Sequence, residues 1–446
     1  MTKVHFLGIG GSGASAAAAI AQAQGFEITG CDLEPRNEFT NQFVDDQLLK
    51  GHDPKHLEGI DILATTPAIY SLDPDNKELL EARKQGIQIL TWQEFMGKYL
   101  MKDKFVIAIT GTHGKTTTTA MIAKLLEDAG LDPTVELGAI MPSWTTNFRI
   151  GKSKYFVIEA DEYNDNFLSY TPDISVVTNI DMDHPEYFKD FESYKESFLK
   201  FLLKTKGIIV ANLLDTPVSE VMKVVMKTPL TPETKNRQYL DYSKNEFNLS
   251  LKIPGVFNVL NASAAFQIGL LLEINSLVIK KSLESFTGAS KRFEYIGEFK
   301  QSLKSSHGSD YKVAKVYSDF GHHPTEIRET LKAVREKFPN ERILVIYQPH
   351  MFTRTKYLFN DFVKVFKSAP VDKIFIIDIY QSREVDEGVV NSEQLVKAIN
   401  KENTTYCPKE KINELLENQV QENDIVFFMS AGDTDKLAKE LLSKKE

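Results

Sequence analysis

Short apolar runs alternate with amphipathic stretches along most of this chain. The apolar runs are rich in β-branched residues and predict buried strands at residues 3–8, 26–31, 61–66, 88–91, 105–111, 155–159, 174–180, 208–212, 313–319, 342–348, 373–379 and 424–429. Helical periodicity covers residues 14–24, 120–127, 255–272, 325–337, 356–368, 392–401 and 435–443. This alternation predicts an α/β protein built on mainly parallel sheets.

Two breaks in the pattern divide the chain into three predicted domains. A charged linker near residues 100–104 ends the first, and the third follows Lys291-Arg-Phe293. The predicted domains are residues 1–102, 103–296 and 297–446, and a chain of 446 residues agrees with about two to four domains. Residues 213–250 are polar and poorly patterned, and residues 300–312 are predicted to be an exposed hairpin tip.

Composition narrows the functional classes. A formal net charge of -9 disfavours a general nucleic-acid binder but permits an anionic ligand in a local basic site. The apolar stretch 260–272 is too short and too polar to cross a bilayer, so no membrane insertion is expected. Cys31 and Cys407 lie far apart and form no metal or disulfide pattern. With no visible signal peptide, we expect a cytoplasmic protein.

The segment from Phe105 to Thr117 combines a strand, a glycine turn and the start of a helix, which is the context of a phosphate-binding loop. Gly111 and Gly114 allow backbone N–H groups to approach phosphate oxygens, and a helix N-terminus adds partial positive charge. Lys115 can reach the β- and γ-phosphates, and the Thr116 hydroxyl can ligate Mg²⁺. The common motif would also have glycine at position 109, where this chain has isoleucine.

A second glycine motif lies near the N-terminus. Gly8-Ile-Gly-Gly-Ser-Gly13 follows the first predicted strand, and Asp32 ends the second. This arrangement fits the dinucleotide-binding fingerprint, and it equally fits the pyrophosphate of a nucleotide or nucleotide-sugar. Both ligand classes therefore remain open from the pattern alone.

Polar residues follow the strands of the predicted central and third domains. Glu159, Asp161 and Glu162 end one strand, and Asp181, Asp183 and His184 end another. Because ligands of open α/β sheets bind at the carboxyl ends of strands, these groups are expected near the phosphate loop. In the third domain the corresponding polar groups after strands are Asp319, His322, His323, Arg354 and Asp433. Arg354 can clamp a carboxylate or phosphate with two parallel hydrogen bonds.

Taken together, these motifs resemble those of the Mur ligase family. Thr-Gly-Thr-His-Gly-Lys-Thr-Thr-Thr at 110–118 and Asp-Phe-Gly-His-His-Pro-Thr-Glu-Ile at 319–327 are its most specific matches. Other matching stretches are residues 8–13, 159–167, 178–184, 254–265, 291–293, 348–355 and 431–433. The resemblance implies an N-terminal Rossmann-like domain for a UDP-sugar, a central P-loop ATPase-like domain, and a C-terminal Rossmann-like domain that admits an amino acid.

The resemblance also implies the chemistry. Within the family, the chain is most similar to the branch that attaches L-alanine to the carboxylate of UDP-N-acetylmuramate in peptidoglycan synthesis. The resemblance therefore implies a reaction through an acyl phosphate, with ATP and Mg²⁺ as cofactors. We expect a monomer or a weak homodimer.

The resemblance assigns site residues by position. The implied catalytic residues are Lys115, His184, His322 and Arg354, and the implied metal ligands are Thr116, Glu159 and His184. Implied ATP contacts are Gly111, Thr112, His113, Gly114, Lys115, Thr116, Thr117, Asn258, Asn261, Arg292 and Asp319. Implied UDP-sugar contacts are Gly8, Gly10, Gly11, Ser12, Gly13, Asp32, Thr65 and Thr66.

Some positions depart from the family pattern, and other functions stay open. Phe257 replaces a frequent histidine of the ATP motif, and Met351 replaces a frequent arginine. The carbamylated lysine of several related ligases aligns with Phe198 or Leu199, and the alanine-adding branch also lacks it.

The nearest alternative function is that of the ligase that attaches recycled tripeptide to UDP-N-acetylmuramate. More distant alternatives are an NAD-dependent oxidoreductase and a non-enzymatic P-loop switch.

Overall fold

The structure, a computed structural model, describes residues 1–244, 247–303, 310–382, 384 and 386–443. It contains three sheets covered by helices, which confirms the predicted α/β class. No helix among these residues has the length and apolar character required to cross a membrane.

The first sheet is parallel throughout, with strand order β3-β2-β1-β4-β5. Its strands are β1 Lys3–Leu7, β2 Glu27–Asp32, β3 Leu48–Lys50, β4 Ile62–Thr65 and β5 Gln88–Thr91. The helices are α1 Ser12–Ala23, α2 Ile69–Leu72, α3 Lys77–Gln85 and α4 Trp92–Phe95. The strand order reverses at β1, so the glycine motif that follows β1 lies at the switch point where such sheets bind ligands.

The second sheet has the order β12-β11-β10-β6-β9-β7-β8. Its strands are β6 Phe105–Thr110, β7 Thr134–Met141, β8 Thr146–Arg149, β9 Tyr155–Glu159, β10 Ile174–Val177, β11 Ile208–Ala211 and β12 Gln238–Asp241. The helices that follow in this part of the chain are α5 Lys115–Asp128, α6 Phe191–Leu203, α7 Thr216–Lys227, α8 Val256–Leu271 and α9 Ser276–Ser285. The central strand β6 pairs in parallel with β10 and β9, whose C-terminal ends therefore flank the phosphate loop.

The prediction that residues 213–250 lack a pattern was wrong. Helix α7 buries Val218, Val221, Met222 and Val225, which have helical spacing, and β12 extends the parallel sheet. The antiparallel β7–β8 hairpin was also missed, because exposed and partly buried residues interrupt its apolar pattern.

The third sheet has the order β13-β14-β18-β15-β16-β17. Its strands are β13 Glu294–Leu303, β14 Asp310–Asp319, β15 Ile343–Tyr347, β16 Lys373–Ile376, β17 Thr404–Tyr406 and β18 Ile425–Met429. The helices are α10 Pro324–Lys337, α11 Phe352–Tyr357, α12 Phe359–Ser368, α13 Ser392–Ile399, α14 Ile412–Gln419 and α15 Thr434–Ser443. The helix predicted at 356–368 is two helices that meet at Leu358.

Alternate residues of β15 enter two different hydrophobic clusters. Ile343, Val345 and Tyr347 belong to one, and Leu344 and Ile346 to the other. Because side chains alternate across a strand, this sheet is buried on both faces, as expected for a doubly wound unit. The antiparallel pair β13–β14 forms its edge, and the predicted hairpin tip includes residues 304–309, which lie outside the described residues.

By its contacts the chain divides into two compact units. The first comprises Met1–Met182, Asp190–Ser250 and Leu260–Phe286, and the second comprises Asp183–Lys189, Leu251–Val259 and Thr287–Glu446. The first unit contains two sheets and the second contains one. The division into three domains, with boundaries after residues 102 and 296, stays a prediction.

Candidate active site

The phosphate loop connects β6 to α5 and depends on two glycines. Gly111 has φ +132°, and a Cβ there would lie 2.0 Å from Thr178 Oγ1. Gly114 has φ +83° at the N-cap of α5, and its Cβ would lie 2.6 Å from Asn261 Oδ1. Both positions therefore require glycine on steric grounds as well as for their backbone angles.

Thr112 ties this loop to the segment after β10. Its Oγ1 accepts the Asp181 backbone N–H at 2.9 Å and lies 2.9 Å from both the Asp181 carbonyl oxygen and the Tyr194 hydroxyl. The Thr112 backbone N–H donates to the Asn179 carbonyl at 3.0 Å. The side chain of Thr112 thus has a positioning role that its place in the motif alone does not reveal.

His113 is bound to the same segment through its backbone. Asn179 Oδ1 accepts the His113 N–H at 2.9 Å, and the His113 carbonyl accepts from Asn179 Nδ2 at 2.9 Å and Thr178 Oγ1 at 2.7 Å. The ring Nε2 lies 3.2 Å from Asp181 Oδ2. Asn179 was missed as a site residue, although its place two residues past the end of β10 was a usable signal.

Lys115 begins α5 and is already held in place. Its ammonium donates to the carbonyls of Gly111 at 2.7 Å and Thr112 at 3.2 Å, and it pairs with Glu162 Oε2 at 2.7 Å. Burial alone would lower the pKa of this ammonium, but Glu162, Asp161 and Glu159 outweigh it and raise the pKa above its ordinary value. The lysine is therefore a permanent positive charge beside the loop.

Thr116 and Glu159 place oxygen atoms next to this charge. Thr116 Oγ1 donates to Glu159 Oε1 at 2.8 Å, and Glu159 Oε2 accepts the Gly138 N–H at 2.7 Å. A hydroxyl and a carboxylate at the start of a helix are hard ligands suited to Mg²⁺. Thr117, the next predicted ATP contact, is buried within α5.

The N-terminal glycine motif also has steric reasons for its glycines. Gly8 has φ +87°, and its Cβ would lie 2.5 Å from Thr66 Cγ2, while a Cβ on Gly13 would lie 2.3 Å from the Trp92 ring. Gly11 is the N-cap of α1, which starts at Ser12. The loop is thus tightly packed, with its backbone at the helix N-terminus, as anion binding requires.

Asp32 and Thr65, two predicted UDP-sugar contacts, have hydrogen-bond partners within the protein. Asp32 Oδ2 accepts the Gly10 N–H at 3.0 Å, so the carboxylate holds the loop backbone. Thr65 is fully buried, and its hydroxyl lies 3.3 Å from the Leu90 carbonyl. Direct contact of either residue with a ligand stays a prediction.

In the second unit, Asp183 is the centre of a buried cluster. Arg354 donates Nε to Asp183 Oδ1 at 3.0 Å and Nη2 to Oδ2 at 3.3 Å. Arg354 Nη1 lies 3.2 Å from His350 Nδ1. Burial would raise the pKa of the Asp183 carboxyl, but the Arg354 guanidinium holds it well below its usual range. Asp183 was predicted to lie near the phosphate loop, but it was given no catalytic or ligand-binding role.

His322 faces the same cluster. Its Nδ1 donates to the Phe320 carbonyl at 3.1 Å, and its Nε2 lies 3.9 Å from Asp183 Oδ2. Burial lowers the pKa of His322 to about 4, so the ring is neutral at pH 7.

His184 has φ +56° and its Nδ1 lies 3.4 Å from Glu186 Oε1. Three predicted catalytic residues, His184, His322 and Arg354, are thus brought to one carboxylate.

The remaining predicted ATP contacts include Asp319, Arg292 and Asn258, and each of these side chains contacts other residues of the protein. Asp319 accepts the backbone N–H groups of Phe293 at 2.9 Å and Gly321 at 2.8 Å, and burial raises the pKa of its carboxyl. The Arg292 guanidinium lies 4.6 Å above the Phe320 ring. Asn258 donates Nδ2 to the Pro254 carbonyl at 2.6 Å, and both Asn258 and Asn261 begin α8.

Both departures from the family pattern are packed into the fold. The Phe257 ring covers Gly255, whose Cβ would lie 2.5 Å from it. Met351 is buried at the N-cap of α11 with φ +73°, and its sulfur lies 3.9 Å from Arg354 Nη1. Met351 therefore contacts the arginine of the cluster.

Comparison with known proteins supports one family over the whole chain. The description "Mur ligase family, catalytic domain" matches residues 3–104, "Mur ligase middle domain" matches 109–269, and "Mur ligase, glutamate ligase domain" matches 305–432. A UDP-N-acetylmuramate–L-alanine ligase of Caldicellulosiruptor saccharolyticus is 38% identical over 471 residues, covering 100% of this chain and 99% of that protein. The corresponding ligase of Hydrogenobaculum sp. is 36% identical, with 96% of each chain covered.

Solved structures agree with this assignment. The crystal structure of a UDP-N-acetylmuramate–alanine ligase from Thermotoga maritima aligns with a TM-score of 0.77 and 26% identity, covering 100% of this chain and 99% of that one. A murein peptide ligase from Psychrobacter arcticus aligns with a TM-score of 0.67 at 20% identity over 99% and 98% of the two chains, which supports the fold alone. The phosphate loop, the glycine loop and the full-length similarity together establish that this chain belongs to the Mur ligase family.

Proposed function

We propose that this protein joins L-alanine to the carboxylate of UDP-N-acetylmuramate at the expense of ATP, as a step in peptidoglycan precursor synthesis. The observation that favours this reaction most is the near full-length identity of 36–38% to ligases named for it. The ordered phosphate loop, with Lys115 fixed beside it, supplies the machinery that such a reaction needs.

In the first step, the muramate carboxylate oxygen attacks the γ-phosphorus of ATP. An acyl phosphate forms and ADP leaves. Lys115 neutralises charge on the transferred phosphoryl, and the N–H groups of the loop bind the phosphate oxygens. The carbonyls of Gly111 and Thr112 hold the Lys115 ammonium beside the loop.

The residues present fit a magnesium ion at the start of α5. Thr116 and Glu159 would hold it through a hydroxyl and a carboxylate oxygen, which now lie 2.8 Å apart. His184 is a third ligand proposed from the sequence. Mg²⁺ would supply charge neutralisation at the β- and γ-phosphate oxygens.

In the second step, the amine of L-alanine attacks the acyl carbon, a tetrahedral intermediate forms, and phosphate leaves as the amide bond is completed. Neutral His322 has an Nε2 lone pair that can accept the amine proton, because its Nδ1 donates to a carbonyl. Arg354 already binds Asp183 and His350, so it acts in this proposal by positioning the cluster.

Two other functions are less well supported. The similarity to solved tripeptide ligases, at 20% and 23% identity, supports the fold alone and does not favour ligation of recycled tripeptide. An NAD-dependent oxidoreductase built on the N-terminal glycine motif would leave the phosphate loop and its Lys115 unexplained.

The deciding experiment measures phosphate release from ATP and Mg²⁺ with UDP-N-acetylmuramate, with and without L-alanine. Glycine, L-serine and the recycling tripeptide are tested in parallel, and product masses are determined. Strong stimulation by L-alanine with the matching product mass is expected. Stimulation by tripeptide alone would assign the protein to the recycling branch, and no sugar-dependent turnover would refute both ligase functions.

A further inference from the structure

We propose that His5, Cys31, His56 and Glu78 form a structural Zn²⁺ site beside the first sheet, separate from the residues of the proposed ligase reaction. One ligand atom from each of the four side chains lies within 4.8 Å of every other. The proposal rests on this geometry and on the charges that it brings together.

Four separate elements supply these side chains. His5 lies in β1, Cys31 in β2, His56 in the turn Pro54–Leu57 and Glu78 in the first turn of α3. The layer between sheet and helix is otherwise apolar, with Leu7, Leu57, Leu63 and Leu79 as neighbours in the core. A polar group of this size in an apolar layer needs a compensating interaction.

The distances suit a tetrahedral site. His56 Nδ1 lies 2.8 Å and His5 Nε2 lies 3.3 Å from the Glu78 carboxylate, and Cys31 Sγ lies 3.3 Å from both of its oxygens. Tetrahedral zinc with bonds of about 2.0–2.3 Å places its ligand atoms roughly 3.3–3.8 Å apart. The His56 Nδ1–Glu78 Oε1 pair, at 2.8 Å, would have to lengthen by about half an ångström or more to admit the ion.

Charge balance favours a divalent cation. Glu78 is completely buried, and no lysine or arginine of the described chain is paired with it. Zn²⁺ with one thiolate, one carboxylate and two neutral imidazoles gives a site with no net charge. Thiolate and imidazole ligands together select zinc over magnesium or calcium.

One buried ligand atom points into the cluster without a well-aligned hydrogen bond. His5 is fully buried, and its Nε2 makes no well-aligned hydrogen bond among the described residues, although it lies 3.3 Å from Glu78 Oε2. Its other nitrogen, Nδ1, lies 2.8 Å from Thr29 Oγ1. A histidine whose far nitrogen is fixed by an outer partner, and whose near nitrogen faces the cluster, has the arrangement of a zinc ligand.

Further outer contacts complete the site. Glu78 Oε1 accepts the Asp53 N–H at 2.8 Å, and His52 Nδ1 lies 3.3 Å from Cys31 Sγ. The His52 and His56 side chains are 20% and 15% exposed, so they offer an entry path from solvent.

The site would stabilise the strand that supports the N-terminal glycine loop. The Cys31 carbonyl accepts the N–H groups of Gly8 at 2.8 Å and Ile9 at 3.1 Å, and the next residue, Asp32, binds Gly10. Zinc on Cys31 would therefore restrain the loop without entering its ligand site.

The test uses the full chain, purified without chelator and then reconstituted with Zn²⁺ or Co²⁺. We expect one zinc per chain by elemental analysis after gel filtration. The Co²⁺ form should show the visible bands of four-coordinate cobalt and a thiolate charge-transfer band. Chelator treatment should lower Tm.

Matched variants separate this site from adventitious binding. Cys31→Ser should lose the charge-transfer band and the chelator effect on Tm, whereas Cys407→Ser, at the other cysteine of the chain, should retain both. Thr29→Val should lower Zn²⁺ affinity by about 10- to 100-fold through loss of the outer contact. Absence of bound metal after reconstitution of the folded protein, or a cobalt spectrum unchanged by Cys31→Ser, would overturn the proposal in favour of a hydrogen-bonded cluster.

Discussion

Arg354 clamps the carboxylate of Asp183, a residue 171 positions earlier in the chain, with nitrogen–oxygen distances of 3.0 and 3.3 Å. Both side chains are more than nine-tenths buried. A buried pair of this kind contributes little when intact but is costly to break, because one charge remains without its partner. The arginine predicted as a ligand clamp is thus engaged with a carboxylate of its own chain.

Asp183→Asn should therefore destabilise the protein by about 3–5 kcal/mol, because it leaves the Arg354 guanidinium buried without a counter-ion. Urea unfolding measures this change. Asp361→Asn is the control, since its ion pair with Lys364 is largely exposed and should contribute at most about 1 kcal/mol. Equal losses in the two variants would contradict the assigned role of burial.

Lys115→Met should abolish ligation and also reduce stability, because Glu162, which is 1% exposed, loses its cation. The double variant Lys115→Met/Glu162→Gln should recover most of the stability and remain inactive. Unfolding curves and phosphate release distinguish the two effects.

Lys124→Met in the same helix is the matched control for this pair. Lys124 forms a partly exposed ion pair with Asp128, so activity should be retained and stability should change by less than about 1 kcal/mol. Full activity in Lys115→Met would refute the phosphate-loop assignment.

Thr112→Val should cost about 1–3 kcal/mol, because the Asp181 N–H loses its acceptor in a buried setting. The looser loop should raise KM for ATP. Thr119→Val is the matched control: Thr119 is buried in α5, and its hydroxyl has no hydrogen-bond partner within the described ranges. A KM unchanged by Thr112→Val would show that the loop does not need this hydroxyl.

Stability should fall as the pH is lowered from about 6.5 to about 4, partly because of His322. The pKa of the folded ring is lowered to about 4, so the unfolded chain binds more protons in this window. His322→Gln should reduce the slope of unfolding free energy against pH. Nitrogen NMR of the imidazole at pH 7 should show the neutral Nδ1–H tautomer, and a protonated ring would contradict the assignment.

The local pattern was sufficient for the central strands of each sheet and for the two glycine loops. The strand before Gly111 and the helix after Gly114 were predicted because apolar periodicity and glycine position are local properties. Where apolar periodicity was weaker, as in the β7–β8 hairpin, prediction failed, because cross-strand pairing is decided by distant neighbours. Helix α7 was different, since Val218, Val221, Met222 and Val225 had readable spacing that was overlooked.

By itself, the sequence determined the α/β class and the two glycine loops. It also indicated Lys115, Thr116 and Glu159 as candidate site residues. These features depend only on residue type and on short spacings along the chain. Only the tertiary structure decided which side chains meet. Asp183 was paired with Arg354, Glu162 with Lys115, and Cys31 with His5, His56 and Glu78. The physical reason is that strands distant in the chain become neighbours in a parallel sheet, so a site assembled from their ends has no spacing motif.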